Sequence, residues 1–353
     1  VNLISGMVIA EVAIRQKENY GNDVPSSFKE FADASLNNPL ASNLIAGISL
    51  FTNACVLSFD LVRAGDVTSC MLGGVSPIIS TLGFAGLLVT CVSSLSGQVL
   101  ARLASAAVTA LFLSFFGILL PGLANVLDPV STFLTPGLSD SGISEAAPII
   151  LMTLVYQNIV PSVTKILDYD RTKTLAAIGL GSFLPLFLYV AWCFACLGGG
   201  AAASGGLLLT VFSLAAVSGS SLGCVLSLSE EVESFLAKDK SVGDSTLNIW
   251  SVLAGVGVPV AAALVFAGSD DFTVALKLAG SYGSPLLYGA IPAFMAWKQL
   301  QESNSNSSQC EGEPSGRFDL IPGGSGTLAI LGGASAVMVL QEFVTDFSGA
   351  VFS

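Results

Sequence analysis

Apolar residues in this chain run in long unbroken blocks, with little of the alternation or one-sided helical spacing of a water-facing fold. A membrane-spanning helix needs about 20 consecutive apolar residues. Ten blocks approach or meet that length: Val1 to Ile14, Ala41 to Val62, Val75 to Val92, Ala106 to Leu120 and Ala146 to Ile166, then Leu175 to Leu197, Leu207 to Leu228, Ile249 to Ala267, Leu276 to Trp297 and Thr327 to Phe343. In hydrocarbon every backbone N–H and C=O must be bonded internally. The pattern therefore predicts an all-α fold, a polytopic membrane helix bundle forming one transmembrane domain over residues 1–353. The first block opens at Val1 rather than Met, already inside an apolar run, so the chain is expected to be N-terminally truncated.

Basic residues give a separate test, because Lys and Arg accumulate in cytoplasmic connections. Arg15, Lys17 and Lys29 follow the first block, Arg102 the third, and Lys165, Arg171 and Lys173 the fifth. Lys238 and Lys240 follow the seventh, and Lys298 and Arg317 the ninth. Only Arg63 and Lys277 lie on the other side, so eleven of 13 basic residues fall in every second connection. That alternation supports ten spans with the first residue outside. The polar stretch from Lys298 to Asp319 has the composition of a linker and falls on the cytoplasmic side, where its sequon Asn306-Ser307-Ser308 would go unused.

Composition narrows the function. Hydrophobic residues make up 52% of the chain and charged residues 11%, with a mean hydropathy of +0.77. Soluble domains carry about 25% charged residues, so the partner in all directions is the lipid bilayer. The net charge of -12 comes from acids scattered through loops, and no basic patch supports nucleic acid binding. There is no histidine. That removes the commonest metal ligand and general base, so no metal, cofactor or intramembrane enzyme is expected. Cys193 and Cys196 form a C-x-x-C in "AWCFACLG", where small polarizable residues at i and i+3 are expected to serve packing.

Polar residues inside the blocks point to function, because charge at membrane depth is costly and normally faces an interior or a water cavity. Glu11 in "MVIAEVAIRQ" and Asp60 in "VLSFDLVRAG" are candidate proton-coupling carboxylates. The alternative for each is a helix-surface ion pair, Glu11 with Arg15 four residues on and Asp60 with Arg63 three on. "VYQNIVPS" interrupts the fifth block with Tyr156, Gln157, Asn158 and Pro161. Proline removes a backbone donor and clashes with the preceding turn, so the helix is expected to break over residues 156–160. Broken backbone is tolerated at that depth where it is buried or lines a cavity, and in secondary transporters such breaks build the substrate site. Tyr156 offers an aromatic face, Gln157 and Asn158 donors and acceptors, and Ser162 opens the second half-helix. The alternative is a proline kink whose amides bond neighbouring helices. A second notch, "AVSGSSLGCVLSLSEE", carries Ser218, Gly219, Ser220 and Ser221, which either line a substrate path or permit close helix packing.

Taken in order, these features resemble the aromatic and hydroxy amino acid permeases, the tryptophan/tyrosine permease group of the amino acid, polyamine and organocation superfamily. The resemblance covers most of the chain: "IAEVAI" around Glu11, the "RAGDV" ending of the next span, "LVYQNIVPSV", "SLGCVLSL" and "GSPLLYGAIPAFMAWK". "LVYQNIVPSV" is its most specific element, similar to the family's Phe/Tyr-His-x-x-Val-Pro-Ser. The resemblance implies a LeuT-like arrangement of two inverted five-helix repeats, of which this chain would begin at the second helix. It further implies an amino acid substrate, tryptophan or tyrosine, carried by alternating access in symport with a proton. Tyr156, Gln157, Asn158, Pro161 and Ser162 would form the substrate site, with Ser218, Gly219, Ser220 and Ser221 lining the facing helix. Gln157 stands where the family often has histidine, which leaves the proton to a carboxylate or to the substrate. A transport-inactive membrane sensor or assembly partner of the same fold is the competing expectation. The protein is expected in a plasma membrane or an organelle membrane, a plastid's included.

Overall fold

The computed structural model describes residues 2–21, 32–33, 35–36, 38–126, 128, 149–150, 152–157, 160–198, 206–236, 249–266, 273–307 and 324–352. All regular structure among them is helical: α1 Asn2–Tyr20, α2 Pro39–Met71, α3 Pro77–Ser94, α4 Gly97–Ala124, α5 Val160–Ile166, α6 Arg171–Leu197, α7 Leu207–Leu236, α8 Ile249–Phe266, α9 Thr273–Leu278, α10 Ile291–Ser307 and α11 Ser325–Phe352. Two π-helical turns, Ala279–Gly283 and Leu286–Ala290, connect α9 to α10. Within the described residues seven helices are long and apolar enough to cross a membrane: α2, α3, α4, α6, α7, α8 and α11. Of the ten expected spans, the first is the helix α1, which continues to Tyr20 through Arg15 and Lys17. The fifth is interrupted, and the ninth is divided by its π turns. The stretch expected as a linker from Lys298 begins as helix, since α10 runs to Ser307; Lys29, Lys238, Lys240, Ser308 and Arg317 lie outside the described residues.

Helix ends follow local chemistry. In "NNPL" the Asn38 side chain accepts the amides of Leu40 at 3.0 Å and Ala41 at 3.4 Å, and Pro39 fills the first turn, where no donor is needed. α2 stops at Gly73 and Gly74, with φ of +74° and +91°, and the Gly74 amide closes back on the Ser69 carbonyl at 3.0 Å. Asp170 caps α6 by accepting the Lys173 amide at 3.0 Å.

The chain divides into two compact units, each drawn from separate stretches: Val1–Thr52, Ser144–Leu186 and Lys277–Ser353 in the first, Asn53–Ile143 and Phe187–Leu276 in the second. The first is built on α1, whose Val8, Ile9, Val12 and Ala13 are fully buried against Val160, Leu287, Met295 and Leu328. In the second, α7 packs along α4 and α8. Phe115, Trp192 and Phe212 make a three-ring cluster there, with centroids 5.6 to 6.2 Å apart. Outward faces stay apolar: on α6, Leu180, Phe183 and Phe187 are 72%, 62% and 69% exposed, as lipid-facing positions are. Cys193 and Cys196 are also exposed there, so the C-x-x-C serves no interior packing.

Candidate functional site

The fifth block is broken as its proline predicts. A short helical turn ends at Thr153, Leu154 to Tyr156 leave the helical path, and α5 resumes at Val160. The freed backbone groups find side-chain partners within the first unit. Asn2 Nδ2 donates to the Leu154 carbonyl at 3.2 Å, and the Tyr156 amide donates to Gln157 Oε1 at 2.9 Å. The Tyr156 hydroxyl donates to the Asn2 carbonyl at 3.1 Å and accepts from Ser182 Oγ at 2.7 Å, while Gln157 Nε2 reaches the same Asn2 carbonyl at 3.4 Å. Gln157 is fully buried and Tyr156 half-buried. Gly6 permits this closeness, because a Cβ there would sit 2.5 Å from the Tyr156 hydroxyl oxygen. Tyr156, Gln157 and Pro161 therefore share one locus beside the start of α1. Asn158 lies outside the described residues, as does the side chain of Ser162.

Residues that sequence reasoning passed over complete this locus. Asn2 and Ser182 are ordinary polar residues of apolar blocks, and only tertiary structure brings them to Tyr156. The π turns held a readable signal in "AGSYGSPLLYGAIP". Pro285 and Pro292 each remove an α-helical donor, and the ladder shifts to five-residue bonds, Ser284 to Ala279 and Ile291 to Leu286. Pro292 leaves the Tyr288 carbonyl without its usual donor, and Ser5 Oγ supplies one. Gly283 and Gly289 press on the hydroxyls of Thr52 and Ser335.

Glu11 is neither an isolated carboxylate nor a surface pair. It is fully buried, bonded to Arg15 Nε at 3.0 Å, with Arg171 Nη2 at 3.8 Å. Arg171 also meets Glu18 at 3.1 Å, and Lys17 lies over the Tyr169 ring, 5.7 Å from its centroid. This charged cluster ties α1 to the turn between α5 and α6. In that turn Asp168 and Tyr169 both adopt left-handed backbone, φ +54° and +59°, a conformation that costs about 1–3 kcal/mol per non-glycine residue. Burial pushes the Tyr169 phenol above its usual range, and the Lys173 amide bond holds the Asp170 carboxyl below its own.

In the second unit, Asp60 on α2 is 5% exposed and lies beside Ser220, Ser221 and Cys224 of α7. The Arg63 pair that the sequence allowed is not formed. Ser221 is fully buried, Ser218 and Gly219 are half-buried and Ser220 is exposed. Gly219 and Gly223 also form one wall of a cavity of about 570 Å³, closed by Leu100 and Ala104 of α4 and carrying Glu230 and Glu233 on its lining. Among the described residues no three His, Cys, Asp or Glu side chains converge as a metal-ligating group.

The model of the tryptophan/tyrosine permease family matches residues 1–204 and 200–339. The chain belongs to the tryptophan/tyrosine permease family. No curated protein matches it. A tryptophan/tyrosine permease is an integral multi-pass membrane protein, and the seven apolar helices accord with that. It is a transporter rather than an enzyme, and membership implies an aromatic amino acid as cargo. The matched residues include the broken helix and the polar notch of α7.

Proposed function

We propose that this permease is a secondary active symporter that carries tryptophan or tyrosine with a proton, by alternating access in a LeuT-like arrangement of inverted repeats. The observation that carries the reading is the interrupted helix at Leu154 to Tyr156, where the Leu154 carbonyl and the Tyr156 amide are bonded by the Asn2 and Gln157 side chains. Breaks of this kind build the substrate site in secondary transporters, and the Tyr156 ring offers an aromatic face here. In this reading Tyr156, Gln157 and Asn158 contact the substrate, Pro161 keeps the break from closing, Ser162 opens the second half-helix, and Ser218, Gly219, Ser220 and Ser221 line the path in the second unit. Interleaving of the two units, each drawing on both halves of the chain, supports an arrangement of repeats. Substrate drives the cycle by binding one conformation more tightly than another.

The two carboxylates take different roles. Glu11 is held by Arg15 and Arg171, which suits a gating contact. Asp60 pairs with no cation among the described residues and meets hydroxyls, so it is the coupling carboxylate. Uptake of labelled tryptophan and tyrosine into proteoliposomes, with and without an inward proton gradient, tests the reading. Saturable uptake that the gradient stimulates, that falls in Asn158→Ala and that loses its proton dependence in Asp60→Asn is expected. Absence of amino acid uptake would turn the assignment to the transport-inactive sensor.

A further inference from the structure

We infer that Ser182 on α6 is a positioning residue for Tyr156, acting through a hydroxyl pair that can tie the broken helix either to α1 or to α6. The inference deepens the transporter reading, from which it takes Tyr156 as a substrate contact, while the pair itself rests on geometry. The Tyr156 hydroxyl lies 3.1 Å from the Asn2 carbonyl of α1 and 2.7 Å from Ser182 Oγ. Ser182 Oγ in turn lies 2.8 Å from the Ile178 carbonyl, one turn back on α6. Each hydroxyl has one proton to donate and can also accept. Two protons therefore serve three contacts, and one contact always goes without.

Two arrangements satisfy the same atoms. In one, Ser182 donates to Tyr156 and Tyr156 donates to Asn2, which closes the break onto α1. In the other, Tyr156 donates to Ser182 and Ser182 donates to Ile178, which holds the ring on α6 alone. Neither strands an acceptor. The Ile178 carbonyl sits inside α6, where the helical ladder already brings it an amide, and the Asn2 carbonyl keeps Gln157 Nε2 at 3.4 Å. An unmade bond to a buried group is what normally fixes a polar network in one state. Here none is unmade, so the two arrangements lie close in free energy and a modest difference in substrate contact chooses between them. A break that opens and closes against α1 in each cycle needs a contact to α1 that is given up cheaply, and Ser182 supplies it by accepting the Tyr156 hydroxyl as that hydroxyl leaves Asn2. Without Ser182, the Asn2 carbonyl is the one partner left to the Tyr156 hydroxyl among the described residues.

The test pairs transport with spectroscopy on the purified full chain. In proteoliposomes Ser182→Ala is expected to lower the maximal rate of tryptophan uptake about tenfold, while equilibrium binding of tryptophan changes by less than about threefold. Ser182→Thr keeps the hydroxyl and restores the rate. In a Tyr156→Phe background Ser182→Ala adds no further loss, because its effect runs through that phenol. Tyrosine Raman difference spectra, parent minus Tyr156→Phe, isolate the same phenol and distinguish a hydroxyl that only donates from one that also accepts. The parent should show both roles and Ser182→Ala donation alone. A parental rate in Ser182→Ala, no rescue by threonine, an additive double variant, or a Tyr156 signal that Ser182→Ala leaves unchanged overturns the inference. If the parent chain carries no tryptophan while the Raman change is as expected, the hydroxyl pair stands and the transporter reading alone fails.

Discussion

Replacing Gly6 by alanine should disturb the broken helix without touching any of its residues. The added Cβ would lie 2.5 Å from the Tyr156 hydroxyl oxygen, 3.0 Å from Cζ and 3.1 Å from Cε2. The ring must move, yet its tip is pinned by the Asn2 carbonyl at 3.1 Å and Ser182 Oγ at 2.7 Å. Overpacking of this kind costs about 1–3 kcal/mol, and a stretched hydrogen bond adds about 1 kcal/mol. Tyr156→Phe removes the nearest atom but leaves the ring carbons in contact. It should cost about 1 kcal/mol alone and relieve part of the Gly6→Ala strain. The double variant should then be more stable than the summed single costs by about 0.5–2 kcal/mol, a coupling typical of residues in contact. Unfolding of the four proteins in detergent closes the cycle, and tryptophan binding to the same samples should weaken about tenfold in Gly6→Ala for each 1.4 kcal/mol that reaches the site. Strictly additive costs, or a Gly6→Ala protein as stable as its parent, would refute the argument that Tyr156 is clamped against α1.

Two further outcomes follow from the charged cluster and the turn beside it. Glu11→Gln removes the anion that Arg15 and Arg171 share, leaving their charges partly buried; the loss should lie near the lower end of the about 3–5 kcal/mol for a broken buried pair, and a melting temperature equal to the parent's would show the cluster to be incidental. Asp170 has a depressed folded pKa because its ionised carboxylate accepts the Lys173 amide. Its contribution is therefore present above the ordinary aspartate pKa of about 3.9 and is lost as pH falls through the lower folded value. The protection of the Lys173 amide against hydrogen exchange, relative to its intrinsic rate at each pH, should fall with acid in the parent and stay level in Asp170→Asn, whose amide oxygen caps at any pH; identical profiles would remove Asp170 as the cap.

Much of the architecture is legible in the sequence because lipid imposes a length and a composition that blocks such as Gly97–Ala124 and Arg171–Leu197 meet outright. Pro161 marks the break for an equally local reason, its missing donor. What stays hidden is pairing across the chain. Arg15 is readable as a partner of Glu11 from its spacing, but Arg171, 160 residues away, is not. Asn2 and Ser182 look like any polar residue near a span. The π turns are hidden for another reason. Their prolines and glycines sit in an apolar run that reads as one span, and the requirement for Gly283 and Gly289 comes from Thr52 and Ser335, far away in sequence.

The two buried carboxylates differ in how their charge is met. A group that couples substrate to an ion must change its ligand during the cycle, so it cannot be permanently satisfied in any one state. Glu11 is satisfied: two guanidinium groups hold it, and protonating it would leave both facing a neutral partner. Asp60 is the opposite case, since one of its oxygens makes no hydrogen bond and the helices packed around it in its unit supply no basic residue. Each charge state of Asp60 therefore depends on what arrives from solution. That dependence is what a coupling group requires, and under the proposed function it falls to Asp60 on α2.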